Sequence, residues 1–130
     1  MDVELFTLCD YAADMGNGKL VIVGTFDNIV VKDFPAIHPT LSVAARMRFY
    51  STEVGQHTLK LAFLDSAGLE IVPPVQGEIE AAVPEGKDST VVNLTVGVGQ
   101  LKLDKPGEYS VHLSVDGTEA RRLSFHIRQK

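Results

Sequence analysis

Four histidines, one cysteine and a scatter of carboxylates are the residues of this 130-residue chain with chemistry to offer. His112 and His126 fall on the same face of two neighbouring strands, but His112 is set opposite Arg122 and His126 lies four positions further along. At ~3.4 Å per residue the pair stands more than ~10 Å apart, too far for one ion. His38 sits among prolines and His57 at a strand start, neither with a Cys or His at ligand spacing. A histidine metal site is not expected. Cys9 lies between Leu8 and Asp10, and a neighbouring carboxylate raises a thiol pKa rather than lowering it. It reads as a small buried hydrophobe, not a nucleophile. The chain has no Gly-x-Ser-x-Gly elbow and no glycine-rich phosphate cradle.

The carboxylates offer a second chemistry. If strands simply alternate in direction, the connections carrying Asp10, Asp14, Asn17, Glu53, Glu85, Asp88 and Asp116 share one end of the molecule. Ca2+ takes about six to eight oxygens, so Asp10, Asp14, Asp88 and Asp116 are the candidate ligands of a calcium-binding sandwich. No loop has dense Asp-x-Asp spacing, and solvated turn residues are the simpler reading. The opposite end carries residues 27–39 and 65–74, both stiffened by proline, with Phe34, Ile37, Leu69, Ile71 and Val72 at non-strand positions. Such side chains either plug the open end of a sandwich or form a patch that docks a partner chain.

The elements that must hold these residues are organised around residues 106–117. Tyr109, Val111, Leu113 and Val115 point one way and Ser110, His112 and Ser114 the other, the period of a half-buried strand. Pro106-Gly107 marks its entry and Asp116-Gly117 a hairpin exit. A plain two-residue turn there would set Val111 opposite Arg122, although Leu123, Phe125 and Ile127 form the apolar set of the next strand. The parity demands a three-residue turn or an equivalent bulge, with Gly117 at positive φ. A Tyr just past a tight Gly turn resembles the tyrosine corner of immunoglobulin-type sandwiches.

Further strands are expected at 3–10, 19–27, 29–32, 41–50, 58–63, 75–83 and 92–98, with one helical turn allowed at 12–15. The run 19–27 is the most continuously apolar and is expected to be central, with Gly24 marking a bulge or a close backbone approach. Pro35 and Pro39 argue against a sheet interior for 33–39. The fold class is an all-β, immunoglobulin-like antiparallel sandwich with Greek-key connections, about seven to nine strands in a single domain.

Composition narrows the partners. A formal charge of -5 and a pI near 5.3, without a basic stripe, disfavour nucleic acid. No apolar run approaches the ~20 residues of a membrane helix, one cysteine makes no internal disulfide, and the start lacks a secretion signal, so a reducing cytoplasm is the expected location.

The stretches 3–12 (Val-Glu-Leu-Phe-Thr-Leu-Cys-Asp-Tyr-Ala), 18–27 (Gly-Lys-Leu-Val-Ile-Val-Gly-Thr-Phe-Asp) and 34–39 (Phe-Pro-Ala-Ile-His-Pro) resemble a family of small bacterial proteins of unknown function. Residues 53–57, 65–68 and 106–109 continue the match, which spans nearly the whole chain. The resemblance implies a stand-alone bacterial domain, an immunoglobulin-like sandwich, and assigns no activity or site residues. The functional expectation is a non-catalytic binding module without a cofactor, docking an unknown protein through Phe34, Ile37, Leu69, Ile71 and Val72, or self-associating through an edge strand. A calcium-binding module and a hydrolase of unassigned type are the alternatives.

Overall fold

A computed structural model describes residues 1–130. Nine strands follow one another: β1 (Asp2–Gly16), β2 (Lys19–Thr25), β3 (Asn28–Val31), β4 (Ala36–Tyr50), β5 (Gly55–Leu64), β6 (Val75–Ala81), β7 (Ser89–Leu103), β8 (Gly107–Val115) and β9 (Thr118–Gln129). A 3-10 turn at Ser51–Glu53 is the one helical element. The strands form two sheets, ordered β2-β1-β4-β7 and β3-β9-β8-β5-β6, antiparallel throughout except that β3 runs parallel to β9.

Alternation builds the core. Leu41, Val43, Ala45, Met47 and Phe49 of β4 face Leu59, Leu61 and Phe63 of β5 and Val111 and Leu113 of β8 in one continuous buried cluster. Burying each such side chain fully is worth about 1.5–3 kcal/mol, which makes the two facing layers the main source of stability. Tyr109 closes this core beside Phe125, with ring centroids 5.7 Å apart, and its hydroxyl donates to the Lys105 carbonyl at 2.7 Å. That bond ties the incoming loop to the strand it enters.

The β8–β9 hairpin settles the parity problem with a bulge. Asp116 (φ +52) and Gly117 (φ +83) form a two-residue turn between the paired Val115 and Thr118. Ala120 is then an extra residue on β9, since Ser114 pairs with Glu119 and Leu113 with Arg121. Beyond it Val111 meets Leu123, Tyr109 meets Phe125 and His112 meets Arg122. Every apolar side chain of β9 from Leu123 onward is thereby returned to the core face.

Four local expectations are corrected. β1 runs to Gly16, so residues 12–15 are strand and not a helical turn. β2 is an edge strand instead of a central one: the first half of β1 pairs with β4 and its second half with β2. Arg46 donates to the Gly18 carbonyl at 2.7 Å, which holds the tip of this β1–β2 hairpin beside β4. Leu20, Val21 and Ile22 are half-buried although no strand pairs on the far side of β2. Gly24 (φ +69) is approached by a side chain and not a backbone: a Cβ there would sit 2.5 Å from Asp10 Oδ2. Pro39 does lie within β4, at a stretch where β7 pairs on one side and β1 has already ended its pairing at Ser42. The β4–β7 register skips Pro39 and Gln100 (φ +54), so the proline sits at a break in the ladder and not in a regular sheet interior.

Candidate functional site

The end of the sandwich where β4 begins and β7 finishes carries Ile37 and Leu69, two of the nine large hydrophobic residues exposed on the chain. Asp65 shapes one wall. Its Oδ1 accepts the backbone N–H groups of Ala67 (2.9 Å) and Leu69 (3.0 Å), while its own N–H donates to the Leu69 carbonyl. Gly68 at φ +80 lets the chain turn that tightly. Leu69 is consequently held outward at 65% exposure, and Ile71, whose N–H donates to the Phe63 carbonyl, is turned back against the core with Val72.

The second wall comes from β4 and β7. Ile37, 60% exposed, stands opposite Lys102 in the β4–β7 ladder. Lys102 in turn lines a surface cleft of about 360 Å³ with Leu69, Ile71, Asp104, Lys105 and the edge of Tyr109. Of the five apolar residues expected to dock a partner, Ile37 and Leu69 are thus exposed at one end. Phe34, Ile71 and Val72 are half-buried and pack on the core, so they do more plugging than presenting. Burial raises the pKa of the Tyr109 hydroxyl above its ordinary value, and it stays a neutral donor.

The four candidate calcium ligands do not converge. Asp10 lines a cleft with His38 and Asn28 at the β4 start, because β1 continues through it as a strand instead of turning. Asp14 accepts the Gly16 N–H within the β1–β2 hairpin. Asp88 and Asp116 lie at the opposite end, by the 3-10 turn: the Asp88 carbonyl accepts the Ser51 N–H, and Asp116 accepts from Thr58 and His57. Nowhere do three His, Cys, Asp or Glu side chains come together in a cluster able to hold a metal.

Two histidines are engaged in ways that their positions in the chain do not announce. His57 Nδ1 lies 2.6 Å from Asp116 Oδ2 and its Nε2 2.6 Å from the Glu53 carbonyl, with the ring 4.6 Å from that of the buried Phe49. Both neighbours are acceptors, so both nitrogens must carry protons. The Asp116 carboxylate, and then the Glu53 carbonyl, raise the His57 pKa, while Asp116 is lowered by His57 and by the Thr58 N–H. Glu53 is lowered chiefly by the Met1 ammonium group, 2.8 Å away.

His112 forms the second constellation, on the solvent face of β8. Its Nδ1 contacts Glu119 Oε1 at 2.5 Å and its Nε2 contacts Ser110 Oγ at 2.8 Å. The Ser-x-His spacing puts the first two on one face and was legible. Glu119 arrives only because of the bulge at Ala120, which no composition signal marks. The order hydroxyl–imidazole–carboxylate is that of a nucleophilic relay, but Ser110 is mid-strand between Leu64 of β5 and Ser124 of β9. Backbone amides around it are committed to two ladders and are not free to stabilise an oxyanion.

The outer face of β4 carries a third polar set, also absent from the sequence reading. Glu4 accepts from Arg48 Nε (2.7 Å) and Arg46 Nε (3.0 Å), and the two guanidinium groups, Arg48 first, hold its carboxyl below the usual range. Arg48 also donates to Ser89, Tyr50 to Asp2, and Arg121 to the Val3 carbonyl. Except for Arg48–Ser89, which joins β4 to β7, these contacts staple β1 to its neighbours. Cys9 is fully buried, its thiol directed at the Ser42 carbonyl and its pKa raised by burial, in keeping with a packing role.

Residues 4–128 match the family of unknown function DUF6941. The chain belongs to that family. No curated protein matches it. Among solved structures, it is similar to Pseudomonas fluorescens alkylpurine DNA glycosylase AlkC bound to DNA containing an abasic site analog, at TM-score 0.51 and 9% identity over 95% of this chain and 30% of that one. It is also similar to beta-glucosidase from Listeria innocua in complex with gluconolactone, at TM-score 0.50 and 10% identity over 97% of this chain and 16% of that one. This DUF6941 chain therefore shares its fold with one part of each of two much larger proteins, and the likeness extends to fold alone.

Proposed function

We propose that this DUF6941 chain is an immunoglobulin-like Greek-key sandwich acting as a non-catalytic module, and that it docks a protein partner with the end bearing Ile37 and Leu69. The strand order, the parallel β3–β9 pair and the Tyr109 hydroxyl bonded back to Lys105 support the immunoglobulin-like reading. The observation that carries the docking reading is the Asp65 clamp. It fixes Leu69 out of the core on a cleft whose rim mixes Lys102 and Lys105 with Asp104, and exposed Ile37 is the ladder partner of that Lys102. Apolar side chains held outward next to a polar rim fit the anatomy of an interface centre. A cytoplasmic site of action fits the single buried thiol, which needs no oxidising compartment.

The test is co-purification from the lysate of the source cell. Ile37→Asp with Leu69→Asp should cut recovery of the bound protein by at least about tenfold, the loss expected when a docking hot spot worth ~1.4 kcal/mol or more is removed. The melting temperature should stay where it was, since neither side chain is in the core. Undiminished recovery would defeat the reading.

The hydrogen-bonded Ser110, His112 and Glu119 favour one alternative, a serine hydrolase. On the non-catalytic reading a fluorophosphonate probe leaves Ser110 unlabelled at pH 8. Stoichiometric labelling that His112→Ala abolishes would make the chain an enzyme instead.

A further inference from the structure

The four outermost strands of the two sheets are not protected alike. β3 is four residues long and runs into Lys32, Asp33 and Pro35. β6 carries Glu78 and Glu80 and follows Pro73-Pro74. β2 is seven residues, with Gly24 at φ +69 beneath Asp10. Short length, charge, proline and irregular backbone are the devices that stop an edge from recruiting another strand. β7 has none of them over most of its length. It pairs with β4 from Ser89 to Leu103, its other side pairs with nothing, and residues 89–101 contain no charged side chain.

The side chains along that edge complement themselves. Directly opposed residues in an antiparallel pair share a face. Val92, Leu94, Val96 and Val98 line the inner face of β7, half-buried, and Leu94 and Val96 open into a cleft of about 120 Å³ beside Val75 and Ile79 of β6. A two-fold axis at Thr95 sets Leu94 against Val96 of the second copy, and Val92 against its Val98. On the outer face the same axis sets Asn93 against Gly97 and Val91 against Gly99, large against small. A chain with net charge -5 repels its own copies wherever its charged faces meet, so a neutral edge is where two of them can approach.

We propose that β7 pairs antiparallel with β7 of a second copy about a two-fold axis through Thr95, joining two four-stranded sheets into one sheet of eight. This surface is separate from the Ile37 and Leu69 end, so the dimer stands or falls without the docking reading.

Light scattering on the eluting protein tests it. At about 0.5 mM chain the mass should rise from the 14.1 kDa of one chain to about 1.7 times that value for a weak ~100 µM association, and to twice it for a tighter one. Thr95→Lys and Gly97→Lys should each return it to 14.1 kDa, Gly97→Lys with the fold of the single chain intact by circular dichroism. A Cβ at Gly97 meets nothing within 4 Å, so that lysine is accommodated by the single chain. Mild oxidation should cross-link Thr95→Cys to its symmetry mate and leave Val91→Cys, far from its own mate, uncoupled; buried Cys9 does not compete. A single-chain mass for the unaltered protein, a dimer that survives both lysines, or cross-linking of Val91→Cys as readily as Thr95→Cys would each overturn the proposal.

Discussion

Phe125→Ala should lower the stability of the chain by about 3–5 kcal/mol, the range for deleting a large buried aromatic side chain. Phe125 is fully buried on β9, between β3 and β8, and packs on the ring of Tyr109. Alanine removes most of that side chain and leaves a space that flanking strands cannot fill, because their ladders fix the spacing between backbones. Whole domains are stable by only ~5–15 kcal/mol, so the variant should be partly unfolded near 37 °C. Urea denaturation followed by far-ultraviolet circular dichroism gives the number, with the slope unchanged if the transition stays two-state. Leu69→Ala is the matched control: equally apolar but 65% exposed, it should change stability by no more than about 0.5 kcal/mol. A loss below ~1 kcal/mol at Phe125 would mean that the sheets do not meet there as described.

The reason Phe125 is a core residue could be read before any coordinates, and the reason Glu119 matters could not. Alternation fixes which face of β4, β5, β8 and β9 is buried, and parity alone required an extra residue between Val115 and Leu123. It could not say whether that residue belonged to the turn or to the strand, since either returns Leu123 to the core. Placing it at Ala120 leaves the tight Asp116-Gly117 turn intact and swings Glu119 onto His112. The same limit explains β2. Its continuous apolar run says that both faces find cover, which a central strand and a folded-back hairpin satisfy equally. The choice rests on Arg46 reaching Gly18, a contact between residues 28 positions apart.

The candidate site divides along the same line. Proline and glycine announced the connection that carries Leu69, and Asp65-Ser66-Ala67-Gly68 was legible as a turn, but the prolines around Ile37 did not reveal that it lies in β4. Which of the five apolar residues face out depends on long-range packing: Ile71 is drawn inward by its bond to Phe63, whereas Leu69 is clamped outward by Asp65. Asp10 shows the converse failure. Strands that alternate in direction put it with Asp116 only if β1 ends there, and β1 instead bends and continues to Gly16.

Stability should fall as the solution is made alkaline, and His57 should be the cause. In the folded chain its ring donates to Asp116 and to the Glu53 carbonyl, and its pKa is raised above the ~6.5 of an unfolded histidine. A raised folded pKa means that the stabilisation is complete below ~6.5 and is lost as pH climbs through the folded value. Beyond that point one ring nitrogen presents a lone pair to an acceptor, and the charged ring over Phe49 is lost as well. The melting temperature should drop by about 3 °C between pH 6 and pH 9, the shift that just under ~1 kcal/mol produces in a domain of this size, since solvent screens the half-exposed Asp116 partner. His57→Asn should flatten this alkaline limb while lowering the plateau. On the acid side the sign reverses: Asp116, Glu53, Glu4 and Glu119 all have lowered pKa values, so what they contribute is present above the ordinary carboxylate range and disappears as pH falls through the folded values. His57→Asn should leave most of that acid limb in place, because Glu4 leans on Arg48 and Arg46 and Glu119 on His112. An alkaline limb of equal size in the His57→Asn variant would mean that some group other than this imidazole is titrating.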